Sequence, residues 1–418
     1  MKKLSLTSKT LIALFLGALF GIILSFLPES WFTQTVLIDG ILKLLGTGFL
    51  NAIKLIVVPL VFVSIVYATA SLDDLKKIGR IGGKTFFFYT LTTALAIILA
   101  LFIGGILKPG VGVDLELIKA NEVATSTTVT NVNFIDTLLS IIPTNIFTAF
   151  TEGNILGIIF FAILLGLSIT MVGEKSKPLL VIFDSANEVL LKLVQIIMHF
   201  APYGVFALLS TTFANFGLSA LMPLIKYVLV VFFALALQLL VVYMGMLFFI
   251  GKLNPIIFLK KFAPIFNICL STASSSAALP MALEHSEKSF GVSKKVSSFT
   301  LPLGSTINMD GTAIMQGISV MFIAQIYGIS LGFNDYIMVI LSAVLASIGT
   351  AGVPGVGMIM LTMVLASVNL PIEGLALIMG VDRIIDMFRT AINVAGDNVC
   401  TILIAKGENE FNEEIYNQ

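Results

Sequence analysis

The sequence predicts an all-α polytopic membrane protein, with eight transmembrane helices plus two opposed re-entrant helical hairpins related as inverted repeats. Three observations predict it. The 418 residues are 57% apolar and 11% charged, against about 25% charged in soluble domains. Apolar runs of the ~20 residues needed to cross a bilayer recur along the chain. Two Gly/Ser-rich, apolar but interrupted stretches occupy corresponding places, each followed by a span rich in polar residues. Such paired discontinuities mark a transporter site near mid-membrane, because irregular backbone at that depth must be buried in protein or line a cavity.

The first apolar run, 10–27, follows Met1, Lys2 and Lys3 and mimics a secretory signal. It is longer than a signal core and many spans follow, so it reads as a first helix that stays attached. Further spans are expected over 38–68, 83–107, 136–172, 180–214, 218–250, 294–328 and 372–406. The interrupted stretches are 256–287 and 334–369. Basic residues set the orientation. Lys2, Lys3 and Lys9 precede the first span, and Lys76, Lys77, Arg80 and Lys84 separate the second and third. Lys175 and Lys177 follow the fourth, and Lys252, Lys260, Lys261, Lys288, Lys294 and Lys295 flank the first interrupted stretch. Pro28–Gly40, Phe213–Ala220 and Tyr327–Ile372 carry no Lys or Arg, whereas the 108–135 loop carries Lys108 and Lys119. Both termini are therefore expected in the cytoplasm, with the first hairpin opening from inside and the second from outside. The acidic segment Gly407–Gln418 reads as a solvated cytoplasmic tail.

Lys+Arg and Asp+Glu each number 24, so charge points to no nucleic-acid partner. Cys269 and Cys400 lie in apolar settings and read as buried thiols. His199 and His285 have no companion at metal-ligand spacing, which argues against zinc.

The chemistry concentrates in the last span, which carries Asp382, Arg383, Asp386, Arg389, Thr390, Asn393 and Asp397. At roughly 100° per residue, Asp386, Arg389, Thr390, Asn393 and Asp397 share one helical face. A charge in hydrocarbon costs at least about 2.5–3.5 kcal/mol, so this stripe needs partners, ions, ligand or water. The competing reading, polar groups that only tie helices together, does not call for three charges so deep. The first interrupted stretch turns at Ser271–Ser276, where small hydroxylated residues leave amides and hydroxyls free for a carboxylate. No base accompanies these serines, which argues against a hydrolase. The second turns at Ser347–Gly357, whose glycines free carbonyls suited to a hard cation such as Na⁺. Between them, Gly304-Ser305-Thr306-Ile307-Asn308-Met309-Asp310-Gly311-Thr312 places a carboxylate in an apolar span, where it needs a cation or a proton.

Ser274-Ser275-Ser276, Asn308-Met309-Asp310-Gly311-Thr312, Gly352-Val353-Pro354-Gly355 and the Asp386 to Asp397 stripe occur in that order. Together they resemble the dicarboxylate/amino acid:cation symporter family, which contains the excitatory glutamate transporters. The resemblance covers essentially the whole chain. It implies a homotrimer in the lipid bilayer, with residues 1–82 and 136–215 as scaffold and trimer contact. Residues 83–107 and 216–406 would be a transport domain that slides like an elevator, 108–135 an extracellular loop and 407–418 the cytoplasmic tail. The outer hairpin would be the gate. The resemblance assigns Arg389 to the substrate's side-chain carboxylate and Asp386 to its amino group. It assigns the α-carboxylate to Asn393, Ser275, Ser276 and Thr312 with backbone at Val353 and Gly357, and Thr390 would support the site. It needs no cofactor and implies Na⁺ as coupling ion. One Na⁺ site would use Asp397, Asn393 and backbone at Gly304 and Asn308. A second would use backbone at Thr306, Ser347, Ile348 and Thr350, and a third Tyr89, Thr92, Thr93, Asn308 and Asp310.

The chain departs from that pattern at two positions. Archaeal members carry an arginine where this chain has Ala273, and animal members carry it where this chain has Met387. Asp386 is therefore expected to have less ionic compensation. Asp386 would have no amino group to pair with in a C4-dicarboxylate, and Arg389 no carboxylate in a neutral amino acid. The expectation is Na⁺-coupled L-aspartate or L-glutamate uptake, with H⁺ coupling the alternative and a C4-dicarboxylate symporter or an anion channel further off. The short fourth span, without the insertion of animal relatives, points to a prokaryotic plasma (inner) membrane.

Overall fold

The computed structural model describes residues 6–28, 30–70, 80–112, 142–152, 155–216, 221–348 and 355–418. Among them every named element is a helix, and the one bridge of strand type pairs Val292 with Phe411. Five stretches are long and apolar enough to cross a membrane: Ser8–Ser25, Arg80–Leu107, Gly157–His199, Met222–Ile250 and Pro255–Thr272. Their large side chains look outward, as Phe102 and Phe249 do. Only a backbone that satisfies itself internally survives in such surroundings, which is why these apolar runs are helices.

Leu6–Ser25 leads to a π-helical stretch, Phe32–Leu42, that runs directly into Lys43–Ala70. Leu6–Ser25 packs against Ala201–Phe216. Gly17 and Gly21 make that approach possible, since a Cβ on either would come within 2.7 and 2.5 Å of the Phe206 and Ser210 carbonyl oxygens. The expected continuous span over 180–214 is broken. Lys177–His199 stops, and Ala201–Phe216 restarts one residue later. Pro202 supplies no N–H for the Met198 carbonyl, so the ladder cannot continue through it. Leu221–Leu237 continues through the π-helical stretches Gln238–Tyr243 and Met246–Ile250.

The first interrupted stretch is two helices, Pro255–Thr272 and Ser275–Lys288. Asn254 caps the first, accepting from Ile256 N, with Pro255 in the position proline prefers. Ala273 turns the chain with φ 50°, and the Ser274 side chain caps the second helix by accepting from Ala277 N. The second stretch is likewise two helices, Phe333–Ile348 and Val356–Ala366. Its tip, 349–354, lies outside the described residues, and so do Thr350 and Val353. The same holds for most of the 108–135 loop and for Lys76 and Lys77. The expected span 294–328 is two half-helices, Lys294–Ile307 and Asp310–Ile326, parted at Asn308 and Met309.

Leu375–Gly407 is the axle of the molecule. It packs against Arg80–Leu107, Ala201–Phe216, Leu221–Leu237, both arms of the first interrupted stretch and both half-helices. It carries five charged residues between 382 and 397.

The segment Gly407–Gln418, expected as a solvated tail, is largely exposed, and it is also docked at several points. Glu408 pairs with Arg80 at 2.6 Å and Lys84 at 2.6 Å, and Glu410 with Lys295 at 2.9 Å. Asn412 N donates to the Gly291 carbonyl at 2.7 Å, and Ser293 N to the Glu410 carbonyl at 2.9 Å. Tyr416 is fully buried and its hydroxyl donates to the Asn254 carbonyl at 2.9 Å. Lys261 Nζ donates to the carbonyls of Ser289, Ile415 and Tyr416 at 2.8, 2.8 and 2.9 Å. Composition reads this segment as solvated because its acids are many; the bases that meet them come from distant parts of the chain.

Two outcomes are expected. Tyr416→Ala empties a buried ring site and should cost about 3 kcal/mol, seen as a lower thermal unfolding midpoint in detergent. The Arg80 hydrogen bond, and then Lys84, hold the Glu408 carboxyl below its ordinary range. A lowered carboxylate pKa contributes stability above the unfolded value and loses it as pH falls through the folded one. Acidification through and below the usual glutamate range should therefore loosen the tail, read as faster amide exchange over 408–417, and Glu408→Gln should reduce that step, leaving the part carried by Glu410 and Lys295.

Candidate functional site

The polar face of Leu375–Gly407 divides into three levels. At the first, Arg389 turns back along its own helix. Its Nε and Nη2 approach Asp386 Oδ1 at 2.9 and 2.8 Å, and its Nη1 approaches Asp382 Oδ1 at 3.1 Å. These are residues three and seven positions earlier, which a helix brings to one side. Asp386 Oδ2 faces elsewhere: Arg383 Nη1 lies 3.4 Å away, and Gly355 N donates to it at 3.3 Å. All three members of the Asp382–Arg389–Asp386 chain are buried. The guanidinium rests against the Val356–Ala366 helix at Gly357, where a Cβ would stand 2.8 Å from Arg389 Cζ. A small cavity of about 50 Å³ opens beside this group, lined by Asp382, Arg383 and Asp386 with Met198, Met358 and Gly355.

At the second level, Asn393 serves the break in the 294–326 segment. Its Oδ1 accepts from Gly311 N at 2.7 Å and Thr312 N at 3.4 Å, and its Nδ2 donates to Thr312 Oγ1 at 3.3 Å. Gly311 and Thr312 are the second and third residues of the Asp310–Ile326 helix, so Asn393 is an N-cap supplied from another helix. Ser347 stabilises the other side of the break. Its hydroxyl donates to the Ile307 carbonyl at 2.5 Å and accepts from Met309 N at 3.1 Å.

The third level is rich in oxygen. Asp310 accepts from Thr93 Oγ1 and Tyr243 Oη, both at 2.6 Å, with Gln238 Nε2 at 3.5 Å. Asn308 accepts from Thr92 at 3.2 Å and donates to Asp397 Oδ1 at 2.9 Å. Tyr89 donates to the Thr300 carbonyl at 2.9 Å. Gly304 closes the cluster, since a Cβ there would lie 2.5 Å from Asp397 Oδ1 and 2.7 Å from Tyr89 Oη. Gln238 Oε1 is buried without a hydrogen-bond partner. A backbone cradle kept open by glycine, two carboxylates and an orphaned acceptor oxygen fit a cation that prefers oxygen ligands. Among the described residues no three His, Cys, Asp or Glu side chains group as a metal set. The oxygens gathered here are mostly amide, hydroxyl and carbonyl.

Of the residues singled out in the sequence, Asp386, Arg389 and Gly357 come together at the first level and Asn393 and Thr312 at the second, and Tyr89, Thr92, Thr93, Asn308, Asp310, Gly304 and Asp397 at the third. Thr390 is buried beside Arg389 in sequence, and Ser347 joins the break. Ser275 is buried and Ser276 exposed at the first turn, Thr306 is exposed, and Ile348 is half-buried. Four residues of the site were missed. Asp382 and Arg383 stood in the same stretch; the seven-residue spacing from Asp382 to Arg389 was the available signal. Gln238 and Tyr243 interrupt an apolar run, the signal that could have found them. Neither Ala273 nor Met387 supplies a cation, but Arg383 and Arg389 both reach Asp386.

Comparison with known proteins matches residues 6–407 to the model of the sodium:dicarboxylate symporter family. The chain belongs to the sodium:dicarboxylate symporter family. It is 38% identical over 418 residues to the proton/sodium-glutamate symport protein of Geobacillus stearothermophilus, covering 99% of this chain and 97% of the relative. It is 38% identical over 419 residues to the proton/glutamate-aspartate symporter of Escherichia coli, covering 99% and 95%. A C4-dicarboxylate transport protein of Bacillus subtilis is 36% identical over 377 residues, covering 89% of each. The protein is thus a multi-pass membrane transporter of the symporter type and not an enzyme.

One consequence of the oxygen cluster is checked by adding a methyl group. Gly304→Ala forces Asp397 and Tyr89 apart and should cost about 1–3 kcal/mol of stability, measured as the shift in thermal unfolding of the purified transporter.

Proposed function

We propose that this transporter takes up L-aspartate or L-glutamate coupled to Na⁺, as a homotrimer of the prokaryotic plasma membrane working by elevator-type alternating access. The observation that carries this reading is the buried Asp386–Arg389 pair beside the cavity. An acidic amino acid presents one ammonium and two carboxylates. Its ammonium replaces Arg389 as the partner of Asp386, and its side-chain carboxylate replaces Asp386 as the partner of Arg389. Each buried charge exchanges one partner for another, so neither is left alone, an outcome that would be strongly unfavourable. The planar guanidinium suits two-pronged carboxylate binding. Thr312 and Asn393, with Ser275 and Ser276 from the inner turn and backbone near Val353 and Gly357, take the α-carboxylate, and Thr390 supports them. A C4-dicarboxylate would leave Asp386 without its new partner.

The Na⁺ ions are cargo. One is assigned to Asp397, Asn393 and backbone at Gly304 and Asn308, another to Tyr89, Thr92, Thr93, Asn308 and Asp310, and a third to backbone at Thr306, Ser347, Ile348 and Thr350. Asp310 and Asp397 have only neutral partners among the contacts above, which favours a site that expects a cation. The same observation supports the second reading, H⁺ coupling, since a proton would serve those carboxylates as well. For the elevator, residues 1–82 and 136–215 are the scaffold. Residues 83–107 and 216–406 move, carrying the inner hairpin 256–287 and the outer gate 334–369. The cavity's position supports that division, because Thr10 and Phe49 line it from one side and Gly355 and Asp386 from the other.

The test is uptake of radiolabelled L-aspartate, L-glutamate and succinate into proteoliposomes, under an inward Na⁺ gradient alone and an inward H⁺ gradient alone. Amino-acid accumulation under Na⁺ alone is expected. Accumulation under H⁺ alone moves the coupling onto Asp310 or Asp397, and accumulation of succinate in preference to both amino acids overturns the substrate assignment.

A further inference from the structure

The two oxygens of Asp386 have different partners. Oδ1 receives both Arg389 contacts, at 2.8 and 2.9 Å. Oδ2 receives Gly355 N at 3.3 Å and Arg383 Nη1 at 3.4 Å. The division follows from helical geometry: Arg383 and Arg389 lie three residues to either side of Asp386, so they reach it from opposite ends. The two contacts on Oδ2 also differ in kind. Gly355 opens the Val356–Ala366 helix at the end of the outer turn, and its φ of 87° suits glycine alone. Arg383 rides on the same helix as Asp386. Its side chain is 12% exposed, edging the cavity and near water but mostly enclosed.

We propose that Arg383 is a positioning residue for amino-group recognition, holding Asp386 by Oδ2 while Oδ1 passes from Arg389 to the ammonium of the substrate. The inference rests on the amino-acid reading above. When Arg389 has gone to the incoming carboxylate, Arg383 is the remaining cation on Asp386. A buried carboxylate stripped of its only cation is strongly disfavoured, so without Arg383 the exchange would pass through an uncompensated charge. Arg383 also fixes the carboxylate rotamer, leaving Oδ1 aimed at the site. A substrate without an ammonium makes no use of Oδ1, and its binding is not served by this arrangement.

The experiment is equilibrium binding of L-aspartate, L-glutamate and succinate by calorimetry to the purified full-length transporter in saturating Na⁺, for wild type, Arg383→Gln, Arg383→Lys, Asp386→Asn and the double variant Arg383→Gln/Asp386→Asn. Arg383→Gln should weaken amino-acid binding about ten- to a hundredfold, the range for losing one partner of an enclosed charge pair. Succinate binding should change less than about threefold. Arg383→Lys should recover most of the loss. In the Asp386→Asn background, Arg383→Gln should add nothing, because the carboxylate it serves is gone. Equal losses for succinate and the amino acids, or additive effects in the double variant, would show a structural role and overturn the proposal. So would unchanged amino-acid affinity in Arg383→Gln. The double-variant comparison still decides if Arg383→Gln alone is unstable, since its Asp386→Asn partner lacks the unbalanced carboxylate. Failure of the substrate reading is separate and visible in wild type, as tight succinate binding with no amino-acid binding.

Discussion

A charge buried among apolar side chains must meet an opposite charge or a full set of hydrogen bonds, and the protein is organised around meeting that demand along Leu375–Gly407. The uppermost level does so with charges: Asp382, Arg383, Asp386 and Arg389 sum to zero. The lowest does not, because Asp310 and Asp397 are held by Thr93, Tyr243, Gln238 and Asn308, all neutral. The helix thus separates a balanced region, where the proposed substrate would exchange partners, from a region two negative charges in deficit, suited to receiving cations. Coupling between substrate and cation then needs no long pathway. The two regions lie on one helix, joined by Asn393.

The break at Asn308 and Met309 has the same logic. An interrupted helix exposes unsatisfied N–H and C=O groups, each costly away from water. Asn393 satisfies the N–H groups of the second half-helix, and Ser347 satisfies a carbonyl and an N–H on either side of the break. Ser347 ends the first arm of the outer stretch. The residues that let the break exist therefore come from the helix that carries Arg389 and from the arm that leads to the outer turn. A displacement of that arm disturbs Ile307 and Met309, and through them Asn308 and Asp310.

Much of this was legible in the sequence, for reasons that can be named. The face shared by Asp386, Arg389, Asn393 and Asp397 follows from helical period alone. The turn at Ser271–Ser276 follows from small hydroxylated residues, and the break at Asn308 from polar residues beside glycine in an apolar run. What stayed hidden needed knowledge of which helices meet. Tyr243 reaches Asp310 across 67 positions, and nothing local to either announces the other. Arg383 was visible but not on the main stripe, although at three residues from Asp386 it lies within the same helical reach as Arg389. The break at Phe200 was written in Pro202 yet outweighed by the apolar run around it.

The docked tail bears on the motion proposed for the site. Glu408 holds the start of Arg80–Leu107 through Arg80 and Lys84. Tyr416 holds the start of the inner stretch at Asn254, and Lys261 gathers carbonyls from both the tail and the end of that stretch. The isolated bridge between Val292 and Phe411, with its two flanking backbone hydrogen bonds, fastens the start of Lys294–Ile307. Four elements that supply Tyr89, Ser275, Asn308 and Asp397 are thus tied together at one end by a segment of eleven residues beyond Gly407. Ligand oxygens on separate helices keep a fixed geometry during a large displacement only if those helices move as one body. Shared packing against Leu375–Gly407 supplies one fastening, and the tail supplies a second at the end where the helices would otherwise splay.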